Sequence, residues 1–196
     1  KKHGKKIINT CYIYDGQLIT GPIERIKDIN IIPSPYLTGA LDQYFQLPLI
    51  PMIETTRGCP FTCTFCADGL AIKNKINRYE TQRTREELQY IAKNINKVDE
   101  LIVTDLNFGM YKQDMETAKE IANIQKNYNY PVSVDAPAGK NMPKRIINIA
   151  SIMKGWSMGG VIQSSDPGVL KAIKRSNISI HAYEELIDFG NKQKAN

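Results

Sequence analysis

Three of the chain's four cysteines, Cys59, Cys63 and Cys66, fall within eight residues in the pattern C-x3-C-x2-C. They lie in a glycine-bounded stretch, Glu54–Gly69, that follows directly on an apolar run at 49–53. Thiolates this close in sequence can converge on one point, and soft sulfur ligands select iron–sulfur clusters or zinc. A structural zinc site closes with four ligands, commonly as C-x2-C pairs, and no second pair is present here. Three thiolates leave one position of a metal centre open, which suits a reactive centre better than a structural one. Two non-catalytic readings stand beside it, an iron–sulfur electron-transfer module and a structural zinc module. Cys11 lies far upstream in a strand-like segment and reads as a small buried apolar residue.

Positioning such a loop requires a rigid frame, and the order of elements supplies one. Lys6–Tyr14 and Gln17–Thr20 read as strands joined at Asp15-Gly16, a hairpin signal because both turn positions accept positive φ. Five prolines between Pro22 and Pro51, with a short helical pattern at Leu37–Phe45, mark a connector rather than a core element. This divides the chain into a hairpin and connector, 1–48, and a main unit, 49–196. From residue 50 the pattern becomes strand, loop, helix, repeated. Ile50–Thr55 is the first strand and enters the cysteine loop. Thr84 and Glu87 have the spacing of a capping box, followed by Leu88, Ile91, Ala92, Ile95 and Val98 at helical spacing. Glu100–Thr104 is the second strand, Asp105–Met110 its outgoing loop, and Asp114 the expected cap of the next helix. Pro131–Val134 is the third strand, ending at Asp135. A helix over Pro143–Met153, a fourth strand over Met158–Gln163, a helix capped by Asp166 and a last helix from His181 complete the series, with His181 itself read as a surface or capping residue.

Alternation of this kind means right-handed βαβ units on a parallel sheet, where sites form at the carboxyl ends of strands. The cysteine loop, Asp105–Phe108, Asp135 and Gln163–Ser165 all leave such ends, so the expected fold is α/β with one shared site. Asp105 and Asn107 offer acceptors there for an ammonium group.

The C-x3-C-x2-C loop with Phe65 before its last cysteine resembles the cluster loop of radical S-adenosylmethionine (radical SAM) enzymes. Ile32–Gly39, Glu54–Cys59, Asp105-Leu-Asn-Phe-Gly109 and Gln163–Pro167, in that order, resemble the branch that carries an upstream cobalamin-binding domain. The resemblance implies a partial (β/α) barrel of the radical SAM type with about four βα units, preceded by the hairpin and the proline-rich connector. It implies a 4Fe–4S cluster on Cys59, Cys63 and Cys66, with SAM on the open iron and cleaved reductively to a 5′-deoxyadenosyl radical. It places Phe65 at the SAM adenine, and Asp105, Asn107 and Phe108 where many members bind the methionine amino group with Gly-Gly-Glu. Gln163 and Ser164 fall at the ribose and Arg175 at the carboxylate. Arg57 either stabilises the cluster charge or forms a surface ion pair. No cobalamin signature is present and the only histidines are His3 and His181, so the sequence is expected to be a piece of a longer protein, with cobalamin a cofactor of the whole.

Composition fits this reading. The charged and apolar fractions are those of an ordinary globular chain, and no apolar run reaches a membrane-spanning length. The net charge of +6 invites a nucleic-acid reading, but four of the lysines fall in the first six residues and no basic–aromatic stripe follows. A solvated terminus is expected instead. Clustered thiols without a secretory signal point to the cytoplasm, and the resemblance implies a small-molecule substrate and an electron donor such as flavodoxin or ferredoxin.

Overall fold

The computed structural model describes residues 4–159 and 162–194. A two-stranded hairpin, β1 (Cys11–Tyr14) and β2 (Gln17–Thr20), comes first. Next come β3 (Met52–Ile53) and a short antiparallel ladder of β4 (Thr56–Arg57) with β5 (Asn77–Arg78). The remaining elements are α1 (Thr81–Asn94), β6 (Glu100–Val103), α2 (Asp114–Tyr128), β7 (Ser133–Pro137), α3 (Pro143–Ile152), β8 (Trp156–Gly159), α4 (Pro167–Ala172) and α5 (Ile180–Lys194).

Strands β3, β6, β7 and β8 form one parallel sheet in that order, so each helix between them is a crossover. The strand period of two decides what each residue does. Leu101, Val103, Val134 and Ala136 point to the helix side and are buried. There they meet Leu88 and Ile91 of α1, Ile121 and Ile124 of α2, and Ile146 and Ile149 of α3. The opposite face carries Met52, Ile102, Asp135 and Ser157 in one row across the strands. Nothing among the described residues covers that row as the helices cover its counterpart: Met52 is 56% exposed. The described sheet is therefore one wall of a barrel, helix-clad outside and open inside.

The structure moves several boundaries. The first strand of the hairpin is shorter than expected, and Cys11 is exposed rather than buried because the two-stranded ribbon has little packed against it. The connector is not outside the core: Tyr36 and Phe45 are buried, and the Tyr36 hydroxyl donates to the Met52 carbonyl at 2.9 Å. Helix α1 starts at Thr81, so Thr84 and Glu87 are not a capping box. Thr84 is buried, and Glu87 pairs with Arg83 at 3.0 Å, one turn back. Asp135 lies inside β7 rather than at its end, with its side chain on the open face. Strand β8 runs Trp156–Gly159, which puts Gln163 in the loop beyond; residues 160 and 161 of the expected strand lie outside the described residues. Asp166 does cap α4, accepting from the Val169 amide at 2.8 Å.

The facing of the sheet can be measured. Leu101→Ala, on the helix side, removes a fully buried side chain and costs ~2–5 kcal/mol. Met52→Ala, on the open side, costs less than ~1 kcal/mol. Urea unfolding of the two variants gives both values, and similar costs would contradict the assignment of faces.

Candidate metal and cofactor site

The cysteine loop is an excursion with a tied base. It leaves the sheet after β3 and returns through β5, and the β4–β5 ladder pairs Thr56 with Arg78 and Arg57 with Asn77. Further ties lie inside it: Cys59 N–H donates to Lys73 O at 3.3 Å, and Cys66 N–H to Cys63 O at 3.2 Å. Gly58 has φ +100°, and a Cβ there would meet the Lys75 carbonyl at 2.4 Å, so the strands close on each other only with glycine at this point.

Asp105 fixes this base to the sheet. Its carboxylate, only 2% exposed, accepts the Thr55 amide at 2.7 Å, the Thr56 amide at 3.1 Å and the Thr55 hydroxyl. Burial pushes the Asp105 carboxyl up, while those three donors pull it down. Both its oxygens are engaged, so Asp105 orients the loop. Two residues on, Asn107 is 3% exposed; its Nδ2 donates to Cys59 Sγ at 3.3 Å, while its Oδ1 is buried with no hydrogen-bond partner. A buried acceptor without a donor is costly unless a ligand completes it.

Phe108 packs into the core. Its ring is fully buried, edge-on to Trp156 at 5.4 Å and 83°, and belongs to the core. Its backbone links two strand ends instead: Phe108 N–H donates to Pro137 O, and Phe108 O accepts from Gly139 N–H, both at 2.8 Å. That link brings Lys140 to the site, with Nζ 4.0 Å from Cys59 Sγ and 4.9 Å from the centre of the Phe61 ring. The sequence reading missed Lys140. Its signal was position, just beyond the carboxyl end of the third strand.

The C-terminal segment reaches the same region. Thr64 N–H donates to Ile173 O at 3.1 Å, tying the cysteine loop to the end of α4. Gln163 and Arg175 line a cavity of about 1400 Å3 together with Leu106, Lys140 and Asn177. Arg175 Nε donates to Asn177 Oδ1 at 2.7 Å, and Asn177 Nδ2 donates to Ser164 O at 3.0 Å. The Ser164 hydroxyl accepts from the Asp166 amide at 3.1 Å. Phe65 is 52% exposed at the rim of the loop. Arg57 pairs with Glu54 at 2.6 Å, the surface alternative of its two readings. His181 is exposed on α5, 3.5 Å from Glu185.

The donor set fits a cluster. All three loop cysteines are free thiols, Cys59 and Cys63 are 3% exposed, and a loop with short internal ties surrounds them. Among the described residues no three His, Cys, Asp or Glu side chains gather around a point that would hold a single ion. A cluster bonds each sulfur through a different iron and does not require that convergence. No helix among the described residues is long and apolar enough to cross a membrane.

Comparison with known proteins bears on these observations. A sequence model of the radical SAM superfamily matches residues 53–192. The chain is 31% identical over 183 residues to the cobalamin-dependent radical SAM methyltransferase TokK of Streptomyces tokunonensis, covering 87% of this chain and 26% of that protein. It is 32% identical over 177 residues to the 2-(S-pantetheinyl)-carbapenam-3-carboxylate methyltransferase of Streptantibioticus cattleyicolor, covering 84% and 25%. The chain thus spans about a quarter of the length of these curated relatives. Among solved structures, the cobalamin-dependent S-adenosylmethionine radical enzyme OxsB matches with a TM-score of 0.65 at 18% identity, over 94% of this chain and 28% of that one. The radical S-adenosylmethionine methyltransferase TsrM from Kitasatospora setae matches with a TM-score of 0.61 at 14% identity, over 77% and 30%. At such identities the likeness is one of fold, and it agrees with a parallel sheet forming part of a barrel.

A second buried carboxylate gives the site a pH dependence. Asp114, at the start of α2, accepts the Tyr111 amide at 2.9 Å rather than acting as the helix cap, a position held by Gln113. Burial pushes its carboxyl up to about 6, with the charge of Asp105 adding to the effect. The folded state therefore holds this proton at pH values where the unfolded chain has released it. The associated stability is fully present below the unfolded value of 3.8 and is lost as pH rises through about 6. The shift corresponds to ~3 kcal/mol. Asp114→Asn keeps an acceptor for Tyr111 and removes the charge, so it gains stability over the parent at about pH 7.5 but not at about pH 4. Urea unfolding at both values checks this; a variant-to-parent difference independent of pH would contradict it.

Proposed function

The chain belongs to the radical SAM superfamily, and from that premise we propose that it forms the cofactor-holding part of an enzyme that transfers methyl groups by radical chemistry. The cofactors are a 4Fe–4S cluster on Cys59, Cys63 and Cys66, S-adenosylmethionine beside it, and cobalamin in the whole protein, as in its relatives. The observation that carries the reading is the buried pair Cys59–Asn107: the Asn107 amide donates to the Cys59 thiol at 3.3 Å, and its oxygen is buried without a hydrogen-bond partner. A cluster held by Cys59, Cys63 and Cys66 would supply the electron for reductive cleavage of S-adenosylmethionine.

The residues of the chain bind and orient. Asn107 Oδ1 accepts the SAM ammonium, the group that a buried carbonyl oxygen without a donor is suited to receive. Arg175, held by Asn177 at the cavity wall, presents its guanidinium to the SAM carboxylate. Gln163 and Ser164 serve the ribose, and the Phe65 backbone serves the adenine. Asp135, on the open face of β7, faces the space where substrate and cofactor meet. The substrate is a small molecule, and the electron comes from a flavodoxin or ferredoxin.

Anaerobic reconstitution of the whole protein with iron and sulfide, followed by EPR with and without SAM, tests this reading. SAM is expected to change the g-values of the reduced cluster and to be converted to 5′-deoxyadenosine. Cys63→Ala is expected to lower deoxyadenosine formation at least a hundredfold. A spectrum indifferent to SAM would favour electron transfer instead.

A further inference from the structure

The environment of the three sulfurs is uneven. Cys66 Sγ lies 4.0 Å from Asp68 Oδ2, a carboxylate whose other oxygen pairs with Lys73 at 3.4 Å. Cys59 instead receives two donors from two different strand ends, Asn107 Nδ2 at 3.3 Å from beyond β6 and Lys140 Nζ at 4.0 Å from beyond β7.

Lys140 is held in place from both ends. Behind it, Gly139 N–H donates to Phe108 O, and a Cβ on Gly139 would stand 2.9 Å from Met110 Cβ, so the backbone is pressed against the neighbouring loop. In front, the Phe61 ring of the cysteine loop lies 4.9 Å from Nζ, a distance at which an aromatic face attracts an ammonium. Lysine on a free loop would leave its charge in water. Here the charge is half-buried beside a sulfur that is 3% exposed.

We propose that Lys140, placed against Cys59 Sγ beside Asn107, is a positioning charge that raises the potential at which the cysteine-bound cluster accepts its electron. The inference rests on the cluster reading given above. A centre held by three thiolates becomes more negative on reduction, so a fixed cation and an N–H donor at one thiolate stabilise the reduced form more than the oxidised one. Burial keeps water from screening that difference.

The test uses the whole protein with reconstituted cluster, as parent, Lys140→Met and Lys140→Arg, with midpoint potentials from EPR-monitored reductive titration. Methionine keeps most of the stem that packs on Phe61 but carries no charge. With iron and sulfide contents equal, Lys140→Met is expected to make electron uptake roughly tenfold less favourable, a shift of ~60 mV to more negative potential for a one-electron couple. Lys140→Arg is expected to restore most of it. Loss of the cluster in the methionine variant but not in the arginine variant also supports the proposal, because charge alone separates them. A methionine variant with the parent's midpoint overturns it, as does loss of the cluster in both variants, which would make the lysine structural. A parent that takes up no cluster at all overturns the reading of the cysteines, and the inference with it.

Discussion

One buried carboxylate holds the site to the fold. Asp105 sits at the end of β6 and collects two backbone amides and a hydroxyl from Thr55 and Thr56, at the mouth of the cysteine loop. Each hydrogen bond to such a buried oxygen contributes about 0.5–1.5 kcal/mol, and leaving the acceptor unmet costs more. Three on one side chain outweigh the freedom of a short loop entry. The carboxylate opposes the ends of two adjacent parallel strands and so turns the sheet into a template for the loop. Asn107, two residues further, inherits that registration and arrives at Cys59.

The same logic repeats across the sheet. The carboxyl ends of the first three strands of the described wall are tied in turn, β3 to Asp105 and the Phe108 backbone to Pro137 and Gly139, while the cysteine loop at Thr64 is tied to the end of α4. The helix side supplies stiffness through a continuous apolar layer, and the strand ends supply chemistry. Family membership agrees with this division, since the matched span begins at Ile53, where β3 ends, and runs through to α5.

What the sequence disclosed follows from the range of the interactions involved. The three cysteines were legible because their spacing is local, α1 and α2 because a 3.6-residue apolar repeat is local, and α3 because Pro143 suits a first helical turn. The parallel order followed from alternation. Asp105 looked like a ligand acceptor because its partners, Thr55 and Thr56, lie about fifty residues upstream and carry no pattern that points to them. Phe108 resembled part of a binding motif, and only the position of Trp156 shows that its ring belongs to the core. Tyr36 and Phe45 were placed outside the core because prolines around them break regular structure, which says nothing about side-chain burial. Lys140 had no motif at all.

The β4–β5 ladder has a consequence for how such a loop can change over time. Two residue pairs bring the entry and the exit of the cysteine excursion to adjacent points, while Thr64 to Ile173 and Asn107 to Cys59 tie its interior to other parts of the fold. Segments whose ends meet in this way accept insertion, deletion and exchange without disturbing their host. In the cysteine stretch that freedom is confined to the portions between those ties, where length can change while the wall behind keeps its shape.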